Sequence, residues 1–212
     1  MRVLRLGECA LFLSEDAPPS LAGQRRIWAF ANHVRLWPDV VDVVPGLNNV
    51  TLSFRPDVDP GDFEHEATSA WNISVATDSV RGRLVEIPVR YGGEYGPDLG
   101  SVAQRTGLMQ SEVVALHAGG SYVVYFLGFQ PGFAYMGGLD ARLHVARREH
   151  PRTAVPPGSV AIAGDQTAVY PRRSPGGWQI IGQTALNMFD FAREPAALLS
   201  AGDRVRFVMA SP

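Results

Sequence analysis

Histidine is the natural first candidate for acid–base chemistry, and this chain has five, His33, His65, His117, His144 and His150. None belongs to an HExxH motif and no two stand at i and i+4, so a metal site would need long-range assembly. His117 precedes Ala118-Gly119-Gly120 at the end of an expected helix. There it either gains from the helix dipole or faces a polar pocket. No serine lies in a GxSxG elbow. Cys9 stands beside Ala10-Leu11-Phe12-Leu13 and reads as a small core residue rather than a nucleophile. All 19 positive side chains are arginine, and lysine is absent. The chain therefore cannot form a Schiff base, carry lysine-linked biotin or supply the lysine of a Walker A phosphate loop.

Glycine-rich stretches supply the other candidates. Tyr91-Gly92-Gly93-Glu94-Tyr95-Gly96-Pro97-Asp98 leads into an expected helix whose first N–H groups could hold an anion, with Asp98 expected as its cap. Phe129-Gln130-Pro131-Gly132-Phe133-Ala134-Tyr135-Met136-Gly137-Gly138-Leu139 places three aromatic rings in a nearly uncharged glycine loop. Such rings either pack across a barrel mouth or line a pocket, because exposing them is costly. The stretch lacks GxGxxG spacing and is not a dinucleotide loop. Gly164-Asp165-Gln166-Thr167 and Ser174-Pro175-Gly176-Gly177-Trp178 flank another strand pair. If these loops converge, Gln166 can read a carboxylate or an amide, since it both donates and accepts; otherwise it is a turn residue.

The elements that must position these residues fall into two groups. Residues 1–85 carry 8 arginines and 11 acids, net −3, whereas residues 86–212 carry 11 arginines and 10 acids, net +1. Most glycine clusters follow Gly92, so a domain boundary is expected near Arg81–Pro88. The first part reads as a small α/β unit. Strand-like stretches lie within Val3–Leu13, a helix spans 24–37 and ends at Pro38, and strands follow at 40–44 and 49–54. Phe63–Ser74 is ambiguous, with a short helix one option. The second part reads mostly as strands, at 83–89, 121–129, 159–163, 167–170, 178–182 and 204–209. Helices at 98–107 and 111–117 interrupt them, the second capped by Ser111. Short strands with few helices favour a barrel.

Composition narrows the partners. With 46% hydrophobic and 19% charged residues the chain is built to fold. A net charge of −2 without a basic stripe argues against nucleic acid. The absence of an 18-residue apolar run argues against a membrane span, and a cytoplasmic location is the expectation.

The run Pro88–Leu99 resembles the opening motif of the family that contains the B subunit of 5-oxoprolinase, a kinase inhibitor of sporulation and the urea carboxylase region often called allophanate hydrolase subunit 1. Four further blocks agree in order and spacing: Gly128–Leu139, Thr153–Val160, Ile162–Pro171 and Ser174–Gly182. Ala134, Asp165 and Leu47-Asn48-Asn49 depart from the family pattern. The resemblance implies an α+β chain with a ferredoxin-like α/β domain over residues 1–85 and a cyclophilin-like β-barrel over 86–212. It implies one component of an ATP-dependent 5-oxoprolinase that opens 5-oxoproline to glutamate, inactive alone. The partners would be a homologous C subunit and an A subunit. ATP with Mg would be held by this chain or a partner, and no biotin would be attached to this chain. Inhibition of a sensor histidine kinase and a carboxyltransferase role in urea degradation are the alternatives. Within this reading His117, Gln166, Asp98 and Glu94 are the catalytic candidates. Phe129, Pro131, Gly132, Tyr135, Tyr170, Trp178 and Arg152 are the pocket candidates, with Arg152 alternatively a salt-bridge residue. His117, Phe129, Gln166 and Tyr170 are expected at one cleft.

Overall fold

The computed structural model describes residues 1–74 and 82–210, and the chain falls into two compact units, Met1–Arg81 and Gly82–Pro212. Residues 75–81, where the expected boundary begins, lie outside the described part. Among the described residues no helix is long and apolar enough to cross a membrane.

In the first unit, β1 (Arg2–Arg5), β2 (Ala10–Ser14), β3 (Val40–Gly46) and β4 (Asn49–Phe54) form an antiparallel sheet in the order β1-β2-β4-β3. Alternation explains β4: Val50, Leu52 and Phe54 are buried while the residues between them are half-exposed. Two helices that pack on each other accompany the sheet, α1 (Leu21–Val34) and α2 (Pro60–Ile73). Helix α1 starts earlier than the periodicity indicated, because Ser20 Oγ accepts the Gly23 N–H at 3.1 Å. The ambiguous 63–74 segment is helical from Pro60. Asp59 Oδ1 accepts the N–H groups of Gly61 and Asp62 at 2.8 and 3.0 Å, and proline suits the first turn. Phe54 stacks on Phe63, with centroids 4.3 Å apart, and Phe30 meets the edge of Trp71 at 4.9 Å.

The second unit contains β5 (Leu84–Tyr91), α3 (Leu99–Thr106), α4 (Gln110–Gly119), β6 (Tyr122–Leu127), β7 (Ala134–Gly137) and a 3₁₀ turn at Ala141–Leu143. Then follow β8 (Arg152–Val155), β9 (Ser159–Ala163), β10 (Gln166–Val169), β11 (Ser174–Gly176), β12 (Gln179–Gln183) and β13 (Arg204–Met209). Seven strands close a cyclophilin-like barrel in the order β10-β7-β6-β13-β5-β12-β9, sealed by the β9–β10 hairpin, while β8 and β11 form a separate ribbon. The β5–β13 pair is parallel.

Strands β9 and β10 are buried along their whole length. Their inward residues Val160, Ile162 and Val169 fill the barrel, and their outward residues Ala161, Ala163 and Ala168 sit under an aromatic cluster. A strand covered on both faces reads as a continuous apolar run.

Two expected caps are corrected. Asp98 stands at the N-cap of α3 without a side-chain cap bond, because its carboxylate is engaged elsewhere. Helix α4 begins before Ser111, and Glu112 Oε2 accepts the Met109 N–H at 2.7 Å. The stretches read as loops around 134–137, 152–155 and 174–176 contain β7, β8 and β11.

Candidate functional site

The outward aromatic cluster opens into a cleft of about 220 Å³. Strand β7 contributes Tyr135, Tyr170 follows β10, Trp178 precedes β12, and the loop after β6 contributes Phe129 and Phe133. Phe133 is the hub and is 1% exposed. Its ring centroid lies 4.8 Å from Tyr135, 5.2 Å from Tyr170 and 5.8 Å from Trp178, in edge-to-face arrangements. At the rim Phe129 is 61% exposed and holds φ = 68°, a left-handed conformation that is strained for a bulky side chain. Its ring still contacts Phe133 at 5.4 Å. The loop can turn here because Gly132 has φ = 81°, and a Cβ there would come within 2.7 Å of Phe189 Cβ.

Arg147 is the charged residue lining this cleft, with its guanidinium carbon 5.8 Å from the Trp178 ring centroid. Burial raises the pKa of the Tyr135 and Tyr170 phenols, an effect that nearby Arg147 partly opposes. Both phenols are therefore protonated at neutral pH and available as hydrogen-bond donors.

A buried ionic cluster forms part of the frame behind the cleft. Asp98, 3% exposed, accepts from Arg152 Nη1 and Nη2 at 2.8 Å each, from Arg148 Nη1 at 2.9 Å and from the Ile180 N–H at 2.7 Å. The Arg148 N–H donates to the Gly177 carbonyl at 2.7 Å. Arg147, Pro151 and Gly177, which line the cleft, are chain neighbours of, or bonded to, these clamped residues. Asp98 and Arg152 thus position the wall without lining the cleft. Arg152 was expected in the pocket or in a surface or inter-subunit salt bridge; the pair it forms lies within the chain, to the buried Asp98.

His117 lies apart from the cleft, which corrects the expectation of one shared site. Its side chain is fully buried in the core of the barrel unit, packed against the rings of Tyr122 and Phe207 at 5.3 and 4.5 Å. Thr167 donates to the Ala161 carbonyl at 3.1 Å, so at 2.9 Å it accepts from His117 Nε2–H. His117 Nδ1 then accepts from the Tyr91 hydroxyl at 2.7 Å. The network assigns the Nε2–H tautomer. Burial pushes the His117 pKa down to about 3, which keeps the ring neutral.

Gln166 shares the outward face of β10 with Ala168 but does not line the cleft. It is 9% exposed, and its Nε2 is buried without a partner among the described residues. Pro131 and Glu94 are exposed, and neither lines the cleft. The glycine turn around Glu94 has a packing reason, since a Cβ on Gly96 would lie 2.1 Å from the Ile181 carbonyl oxygen. A second cleft, about 600 Å³, includes Arg90, Tyr95, Pro157, Thr184 and Asn187, and Arg90 Nη1 donates to Tyr95 Oη at 3.2 Å. No motif signalled it, because its lining comes from five separate stretches of chain.

Comparison with known proteins places this geometry in context. Residues 1–199 match the carboxyltransferase domain, subdomain C and D. The chain is 48% identical over 208 residues to the B subunit of 5-oxoprolinase from Escherichia coli O157:H7, covering 98% of this chain and 95% of that protein. It is 42% identical over 209 residues to the corresponding B subunit from Haemophilus influenzae, covering 99% and 98%. The structure of Kluyveromyces lactis urea carboxylase shares the fold with a TM-score of 0.82 at 16% identity, over 99% of this chain and 22% of that one.

Proposed function

This chain belongs to the carboxyltransferase-domain family that includes the B subunit of 5-oxoprolinase, and from that premise we propose that it is one component of an ATP-dependent 5-oxoprolinase. The reaction opens the lactam of 5-oxoproline to glutamate, and the partners are a C subunit and an A subunit. The observation that carries this reading is 48% identity sustained over 98% of the chain and 95% of the bacterial relative. The two units support the reading of a ferredoxin-like domain followed by the barrel.

The aromatic cleft suits the substrate by size and chemistry. Its 220 Å³ falls below the roughly 300–1,000 Å³ that drug-sized ligands need, yet suffices for a small ring. Phe133, Tyr135, Tyr170 and Trp178 offer apolar walls that exclude water from a lactam. A protonated Tyr135 hydroxyl is a donor suited to the lactam oxygen, where negative charge develops when the carbonyl is attacked. Asp98, Arg148 and Arg152 hold the wall in place.

The same residues do not fit ATP and its metal. One arginine cannot match a triphosphate, and no group of three or more His, Cys, Asp or Glu side chains is placed to hold a metal ion among the described residues. The aromatic cleft is therefore not assigned to the nucleotide. The absence of lysine means that biotin cannot be lysine-linked to this chain.

Reconstitution tests the proposal. This chain and its A and C partners, purified separately and assayed in every combination, should form glutamate from 5-oxoproline and ATP only when all three are present. Equal activity without this chain, or activity from this chain alone, would overturn the proposal.

A further inference from the structure

We propose that Arg147 binds the carboxylate of 5-oxoproline and thereby sets the orientation and specificity of the aromatic cleft, a reading that rests on the function proposed above. Three observations point to it. First, Arg147 is the charged side chain in the cleft lining. Second, it forms neither a hydrogen bond nor an ion pair among the described residues, and its contact is with the Trp178 ring. Its near neighbours Arg148 and Arg152 differ in this respect, since both are committed to Asp98. Third, that contact with Trp178 presents the guanidinium beside the cleft while its N–H donors stay available, in the fork geometry that matches a carboxylate.

The cleft otherwise offers rings and phenols. 5-Oxoproline needs the same combination, one anionic group on a compact lactam ring. Placing the carboxylate on Arg147 brings the ring against the walls formed by Phe133, Tyr135 and Trp178. The lactam carbonyl then lies among phenols able to donate to it. A lactam without the carboxylate would fill the same walls yet gain nothing from Arg147. This difference separates recognition by Arg147 from a role in shaping the cleft.

The test uses the assembled enzyme carrying Arg147→Ala or Arg147→Lys in this chain, with 2-pyrrolidinone, the lactam lacking the carboxylate, as a competing ligand. Loss of a charge-assisted bidentate contact should raise KM for 5-oxoproline roughly ten- to a hundredfold in Arg147→Ala, with little change in kcat. Arg147→Lys, which keeps the charge and loses the fork, should fall between wild type and alanine. Inhibition by 2-pyrrolidinone should stay within about twofold of wild type in both, an expectation that follows from its lacking the group Arg147 binds. An unchanged KM for 5-oxoproline in an active Arg147→Ala enzyme would overturn the assignment. So would equal weakening of both ligands, which would make Arg147 a wall residue only. A wild-type assembly that turns over no 5-oxoproline would instead overturn the functional reading on which this one stands.

Discussion

At the residue scale, His117 shows how a candidate catalytic base becomes a structural group. Both ring nitrogens are occupied, by Tyr91 and Thr167, in a network of neutral hydrogen bonds. Because burial lowers its folded pKa to about 3 from an ordinary value near 6.5, the unfolded chain binds the extra proton first as pH falls. Stability from this group is complete above about pH 6.5 and is lost progressively as pH drops toward 3, by an upper bound on the order of 5 kcal/mol. Urea denaturation should show wild type losing stability between about pH 7 and 5, before most carboxylates titrate. His117→Gln should start less stable and show a much flatter slope there. Equal slopes would count against a buried neutral histidine. Sequence could not assign this role, since its two side-chain partners stand 26 and 50 residues away. Rings in a glycine loop demand a packing partner, which drew attention to Phe129 and Tyr135, whereas Phe133, the hub of the cluster, was not among the named candidates. Arg147 was not legible, because Arg147-Arg148 looks like ordinary surface charge until one arginine is seen to be paired and the other left available.

At the scale of elements, the Asp98 cluster joins three pieces of chain that share no local motif. It ties the start of α3 to the 148–152 segment and to the backbone of β12. Breaking a buried pair costs about 3–5 kcal/mol, and the two arginines are partly exposed, so solvent returns some of that. Asp98→Asn should therefore destabilise the chain by about 2–3 kcal/mol in equilibrium unfolding. It should also change Trp178 fluorescence below the transition, since the clamp sets the wall beside that ring. A loss under about 0.5 kcal/mol would make the cluster a surface-like ion pair. Sequence placed Asp98 at the correct helix start and gave it the wrong partner, because Asp before a helix has a strong local explanation and the arginines are 50 and 54 residues away. Longer strands and the glycine end of α3 followed from periodicity. Strands β7, β8 and β11 did not, being four, four and three residues long, and β7 and β11 include glycine. Too few residues remain in them to display a period.

At the scale of the whole molecule, the first unit has, among the described residues, four strands and two helices between Arg2 and Ile73, all from neighbouring stretches of chain. The barrel differs. Strand β13, the last strand among the described residues, lies between β5 and β6, the first two barrel strands, and supplies Val205 and Phe207 to the core, each 1% exposed. A ribosome delivers residues in order, so β5 and β6 emerge with the place between them vacant, and nothing made earlier can fill it. Closure must wait until β13 has emerged, and such distant pairing is intrinsically slow. Nascent chains stalled with Asp203 as the last exposed residue should yield a protease-resistant fragment from the first unit and rapid digestion beyond Gly82. Extending exposure through Met209 should protect the second unit as well. Protection of both units before β13 emerges would show that the barrel can close around the gap.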